Sequence, residues 1–153
     1  MALDNVLAGT VDFGGGGRLY SVNAEFHQKT EEQYMKYLCL VYVDEKVLTA
    51  MDKPERQSVS DESMAFCADL QKKGQLIAAS PLHPIETATT VRVRNGKTST
   101  TDGPFAETKE QLGGFLAIDV RDLNDAIRIA AHFPAARFGS IEVRPMKELG
   151  CAE

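Results

Sequence analysis

No basic cluster, no long apolar run and no paired cysteines occur in this sequence, and each absence removes a class of function. The 22 acidic residues outnumber the 17 Lys and Arg, for a net charge of −5. A phosphate backbone is held by a basic stripe, so nucleic acid is not an expected partner. No apolar stretch approaches the roughly 20 residues of a membrane helix, so no membrane is expected either. The start of the chain lacks the basic segment and apolar core of a signal peptide. Cys39, Cys67 and Cys151 are odd in number and form no CxxC pair, which argues against a disulfide framework and a thiolate metal site. Cys39 falls in an apolar strand and Cys67 in a helix, where a buried, inert thiol is the natural reading. A reducing cytoplasm is the compartment this implies. Neither GxGxxG nor a Walker pattern is present, so no cofactor is expected. The glycines at 14–17 do not substitute for one, because no strand–loop–helix context surrounds them.

What remains is the composition of an ordinary globular domain. With 153 residues the chain suits a single domain able to bury a core. Residues 1–34 differ from the rest and read as an N-terminal extension. Either they form a mobile leader, or Val11, Phe13 and the alternating Tyr20, Val22, Ala24 and Phe26 build a hairpin around Gly14–Gly17. The domain proper spans 35–147, with a short tail at 148–153.

Within the domain, Lys36–Val43 is a near-continuous apolar run suited to a central strand. Asp44–Ser58, interrupted by Pro54, reads as a polar loop. Ser60 is the expected cap of a first helix whose stripe holds Met64, Cys67, Ala68 and Leu70, with Gly74 as its stop. Gln75–Ala79 is a short strand. Thr87–Arg94 and Lys97–Thr101 flank Asn95-Gly96, the strongest short hairpin signal. Gly114–Val120 is a further strand. Asp122 caps a second helix whose Leu123, Ala126, Ile127, Ala130 and Ala131 form the expected buried face. Pro134 ends it, and Phe138–Arg144 closes the domain. The order is βαββαβ with an added hairpin, a split βαβ plan of the α+β class. Both helices are expected on one face of an antiparallel sheet; the other face, with Leu38 and Val93, needs a partner.

The segment before the fifth strand is richer than a connection requires. Asp102 to Phe115 reads DGPFAETKEQLGGF and packs a turn, an apolar anchor, four ionisable groups and a double glycine together. With MKYLCLVY from Met35, TATTVRVRNGKTSTTDGPF from Thr87 and IEVRP at Ile141–Pro145, it resembles the DGPF-domain family, a branch of the YCII-related proteins, from Met35 to about Met146. The resemblance implies a ferredoxin-like fold and a homodimer whose two sheets form an α+β barrel. It also implies two functional classes. One is a small enzyme doing acid–base chemistry on a small molecule in a cleft at the DGPF loop. The other is a non-catalytic ligand-binding or regulatory module, of the kind that accompanies extracytoplasmic-function sigma factors. A dimerisation scaffold is a third reading of the same loop.

The candidate residues follow from side-chain chemistry. Asp102 is either a turn former or a carboxylate presented to a cleft. Glu107 and Glu110 share a face if the loop makes a helical turn, which would let one carboxylate act as acid and the other as base; they read equally as a solvated face. His83, held in Pro81-Leu82-His83-Pro84, is the one histidine placed to carry protons. Many YCII relatives carry a histidine near the first helix, paired with an aspartate, but Ser60–Lys73 holds none here. His83 with Asp102 is the substitute pair, set against the alternative of a surface loop histidine. Arg92 and Lys109 are candidate clamps for an anion, Phe105 and Phe115 candidate apolar walls, and Gly113 and Gly114 allow close backbone approach. The three carboxylates match no known cation loop, so no metal is expected.

Overall fold

A computed structural model describes residues 34–147. The hairpin expected around Gly14–Gly17 and the tail from residue 148 lie outside the described residues.

Strand β1 (Met35–Val43) sets the frame. Its Tyr37, Cys39, Val41 and Val43 are buried, while Leu38, Leu40 and Tyr42 between them are half-buried. Such two-sided apolar alternation suits a central position. Strand β5 (Gln111–Val120) flanks β1 on one side and β6 (Gly139–Pro145) on the other, both antiparallel. Strand β2 (Leu76–Pro81) pairs with the outer side of β5, giving the order β2-β5-β1-β6. With helices in the two crossovers, this is the antiparallel split βαβ plan read from the sequence. Strands β3 (Thr89–Arg94) and β4 (Lys97–Asp102) form a separate two-stranded sheet inserted between β2 and β5. Its turn residues Asn95 and Gly96 have φ of 52° and 73°, as a two-residue turn of this hand demands.

The expected loop over Asp44–Ser58 is instead mostly helical. Helix α1 (Glu45–Ala50) is capped by Asp44, whose carboxylate accepts from the Lys46 amide at 2.9 Å. Helix α2 (Lys53–Lys72) begins seven residues before Ser60 and is capped by Asp52, which accepts from the Glu55 amide at 2.8 Å. Pro54 lies in the first turn, where a missing amide hydrogen costs nothing and the fixed φ helps, so it starts the helix and does not break it. The helix ends at Gly74 as expected. There the Gly74 amide donates to the Gln71 carbonyl and the Gln75 amide to the Leu70 carbonyl, which satisfies two terminal carbonyls.

Helix α3 (Leu123–His132) is capped by Asp122, but its buried face is rotated from the expected one. Asp125, Ala126, Ile129 and Ala130 are buried, whereas Leu123 and Ile127 stay about half exposed. The cause is Asp125. It accepts from Arg121 Nε at 2.8 Å and Arg128 at 2.6 Å, so a carboxylate that would otherwise face water is buried with its charge matched.

Helices α2 and α3 pack on one sheet face, where Tyr37, Cys39, Leu116, Ile118 and Val120 meet Leu70, Ala126 and Ile129. On the opposite face, Leu38, Leu40, Tyr42 and Phe115 take no part in that core. Val93 does not join them; it lies on the separate hairpin and is 55% exposed.

Candidate functional site

The loop from Leu82 to Pro84, which carries His83, is held at both ends. The Leu82 amide donates to the Gly113 carbonyl at 2.8 Å, and the Ile85 amide to Glu45 Oε1 at 2.9 Å. His83 itself is exposed between these tethers. Asp102 is the last residue of β4, paired by backbone with Thr89 and exposed. Among the described residues no hydrogen bond or ion pair joins the side chains of His83, Asp102 and Glu107 to one another.

Beyond Asp102 the chain turns at Gly103, whose φ is 97° and whose amide donates to the Ala88 carbonyl at 2.7 Å. Phe105 points to solvent, 81% exposed, and Glu107 and Lys109 are exposed as well. No helical turn forms over Ala106–Leu112, so the shared face expected for Glu107 and Glu110 is absent. The loop folds on its own polar groups: Thr108 Oγ1 donates to the Glu110 carbonyl and Gln111 Nε2 to the Thr108 carbonyl, each at 2.6 Å. Arg92 is held within the hairpin by a 3.4 Å hydrogen bond to Thr101 Oγ1.

Gly113 and Gly114 lie inside β5, which starts three residues earlier than expected. Val41 pairs with Gly114 and Tyr42 with Leu112, so Gly113 is the extra residue of a β-bulge. A Cβ on Gly114 would lie 3.3 Å from the Pro81 Cα, tighter than ordinary contact. Gly114 therefore lets β2 and β5 approach closely at the end of the sheet where His83 begins its loop, while a Cβ on Gly113 would meet the Val43 side chain of β1 at 2.9 Å.

These glycines also line a cavity of about 590 Å³ between the sheet and the first two helices. It arises because α2 is fastened mainly through its C-terminal half. Phe66 stacks edge-on against Phe133 with ring centroids 5.7 Å apart, Leu70 enters the core, and Glu62 pairs with Arg137 at 2.7 Å. The N-terminal half bears no buried residue and stands beside the sheet, leaving open space. Val43, Leu48, Leu76 and Leu116 supply apolar wall, and Phe133 and Phe138 close one side. Along α2 the lining residues are Arg56, Val59, Ser60, Ser63, Met64 and Cys67. Their spacing keeps them on one helical face. Cys67 stays a neutral thiol because burial pushes its pKa up; Cys39, deeper in the core, is pushed up to about 11. Neither has the activated thiolate that nucleophilic work needs.

The model of the YCII-related domain matches residues 35–150, beginning at the first residue of β1 and taking in all the elements described above. The chain belongs to the YCII-related family. An uncharacterised protein of Rhizobium meliloti (strain 1021) is 40% identical to it over 114 residues, 73% of this chain and 92% of that protein. No helix among the described residues of this YCII-related chain is long and apolar enough to cross a membrane. Among those residues no group of three or more His, Cys, Asp or Glu is placed to hold a metal.

Of the residues singled out in the sequence, the YCII-related fold thus brings Gly113 and Gly114 to one cavity, whereas the Phe115 side chain falls by register on the opposite sheet face. His83, Asp102, Phe105, Glu107 and Lys109 remain on exposed loop or strand-end positions. Arg56 falls in the loop expected around Pro54, whereas Ser60 and Ser63 are expected at the start of the first helix with no role in a site. The signal that places Arg56 on the helix is Asp52 followed three residues later by Glu55, with proline inside the first turn.

Proposed function

We propose that this YCII-related domain is a ligand-binding module that takes a small apolar molecule into the cavity between α1, α2 and the sheet. The observation that carries the reading is the cavity itself. Its volume lies in the range of small-molecule sites, and its walls are mostly apolar with a few polar groups on one helix face. Acid–base chemistry at the DGPF loop has weaker support. It needs base and acid within hydrogen-bond reach of one another or of a substrate between them. His83, Asp102 and Glu107 are exposed and share no hydrogen bond.

A homodimer joined through the sheet face opposite the helices belongs to the same reading. Leu38, Leu40 and Phe115 lie there outside the core, and Ala117 beside them is already buried. Asp119 Oδ1, on the same face by register, is buried without a hydrogen bond among the described residues. An unmatched acceptor of this kind costs about 1–3 kcal/mol, which a donor from a second copy would recover.

The test is a thermal-shift survey of apolar small molecules on the wild type and on Ala79→Trp. Ala79 lines the cavity from β2 and is solvent-accessible, so the indole fills the space without entering the core. A ligand at about 100 times its dissociation constant stabilises by roughly 2.7 kcal/mol. Stabilisation of the wild type that A79W loses supports the reading. No response from any apolar molecule defeats it.

A further inference from the structure

We infer that the molecule this cavity takes is an amphipathic carboxylic acid, with its carboxylate at Arg56 and its apolar body along the sheet. The inference rests on the ligand-binding reading and adds the chemical class of the ligand.

Among the residues lining the cavity, Arg56 is the one that carries a charge; Cys67 is neutral and no acidic residue takes part. An uncharged apolar ligand would give a cation no role there, and a cationic ligand would be repelled by it. The guanidinium is also uncommitted. It donates one hydrogen bond, at 3.5 Å, to the Leu48 carbonyl, at the long limit, and no carboxylate pairs with it among the described residues. Five donors in a planar fork match a carboxylate with two hydrogen bonds.

The polar groups that α2 contributes are gathered toward its N-terminal half. Arg56 and Ser60 stand one helical turn apart on the same side of α2, so the Ser60 hydroxyl is placed to help hold the head group. The Ser63 hydroxyl is already used on the Val59 carbonyl at 2.7 Å. From there toward the C-terminus of α2 the wall turns apolar, through Met64 and Cys67 to Phe133 and Leu76. A ligand that follows this gradient has one anionic end and an apolar remainder.

The experiment displaces the neutral dye Nile red from the full chain with decanoate or decan-1-ol, at about pH 8, where a carboxylic acid is ionised. The wild type is expected to bind decanoate at least tenfold more tightly than the alcohol. Arg56→Gln should erase that preference by weakening decanoate far more than the alcohol, and Arg56→Lys should keep part of it. At about pH 4 the preference should shrink as the ligand is protonated. Alcohol bound as tightly as decanoate by the wild type overturns the inference and leaves the cavity reading standing. Equal weakening of both ligands by Arg56→Gln also overturns it. Binding of neither ligand nor dye overturns both.

Discussion

A Cβ on Gly114 would lie 3.0 Å from the carbonyl oxygen of Ser80. That contact is with backbone, which cannot rotate aside, so the glycine is what lets β2 sit against β5 at the cavity wall. Gly114→Ala is expected to destabilise the fold by about 1–3 kcal/mol, in the range of overpacked sites. Gly139→Ala should cost more, because its Cβ would fall on the Tyr42 carbonyl oxygen of the neighbouring strand. Urea midpoints measured side by side check this; a neutral Gly139→Ala would contradict the described β1–β6 approach.

Stability should fall on the acid side through Asp125. Hydrogen bonding by Arg121, followed by the charges of Arg121 and Arg128, holds its carboxyl below the usual carboxylate range. A carboxyl with a lowered folded pKa stabilises the fold above its unfolded value, about 3.9, and that contribution is lost as pH falls toward the folded value. Asp125→Asn should therefore be less stable than the wild type at pH 7, with the gap narrowing as pH falls below about 3.9. Denaturant titrations above and below that pH measure it, and a gap that does not change with pH would remove the ion pairs from the account.

The plan of the fold was legible because its signals were local and unopposed. Asn95-Gly96 allowed little but a tight turn, Gly74 and Asp122 marked helix ends, and the apolar run at Tyr37–Val43 suited little but a central strand. Where two signals competed, the reading went astray. Pro54 looked like a break although Asp52 had already started a helix around it. Leu123 and Ile127 looked like core because periodicity cannot see that two arginines let Asp125 be buried in their place. The site was less legible than the fold for a related reason. A cavity is made by where a helix does not pack, and α2 hides that in a sequence whose polar residues look merely exposed.

The sheet face with Leu38 and Leu40 should be an interface. Leu40→Lys places a charge at its centre, between Phe115 and Glu142 in the register. Light scattering should give a wild-type mass of about twice the 16.7 kDa chain and a single-chain mass for the variant, with the helix-side core untouched. A monomeric wild type would withdraw the interface.

Asp102 should prove dispensable for folding and for binding. Its carboxylate is exposed and makes no hydrogen bond among the described residues, and its pairing with Thr89 uses the backbone. Asp102→Ala is expected to change stability by less than about 0.5 kcal/mol, as for surface sites generally, and to leave ligand affinity unchanged. Loss of ligand binding in a folded Asp102→Ala protein would return the site to the DGPF loop.

The central claim is that the cavity beside α2 binds an apolar small molecule, and a Nile red titration tests it most directly. Saturable, blue-shifted emission at one dye per chain is the expected result for the wild type, with that emission lost in a folded Ala79→Trp variant. Because the chain has no tryptophan of its own, the introduced indole also reports whether the variant has filled the cavity. Emission that never saturates, or that persists undiminished in Ala79→Trp, would contradict the account.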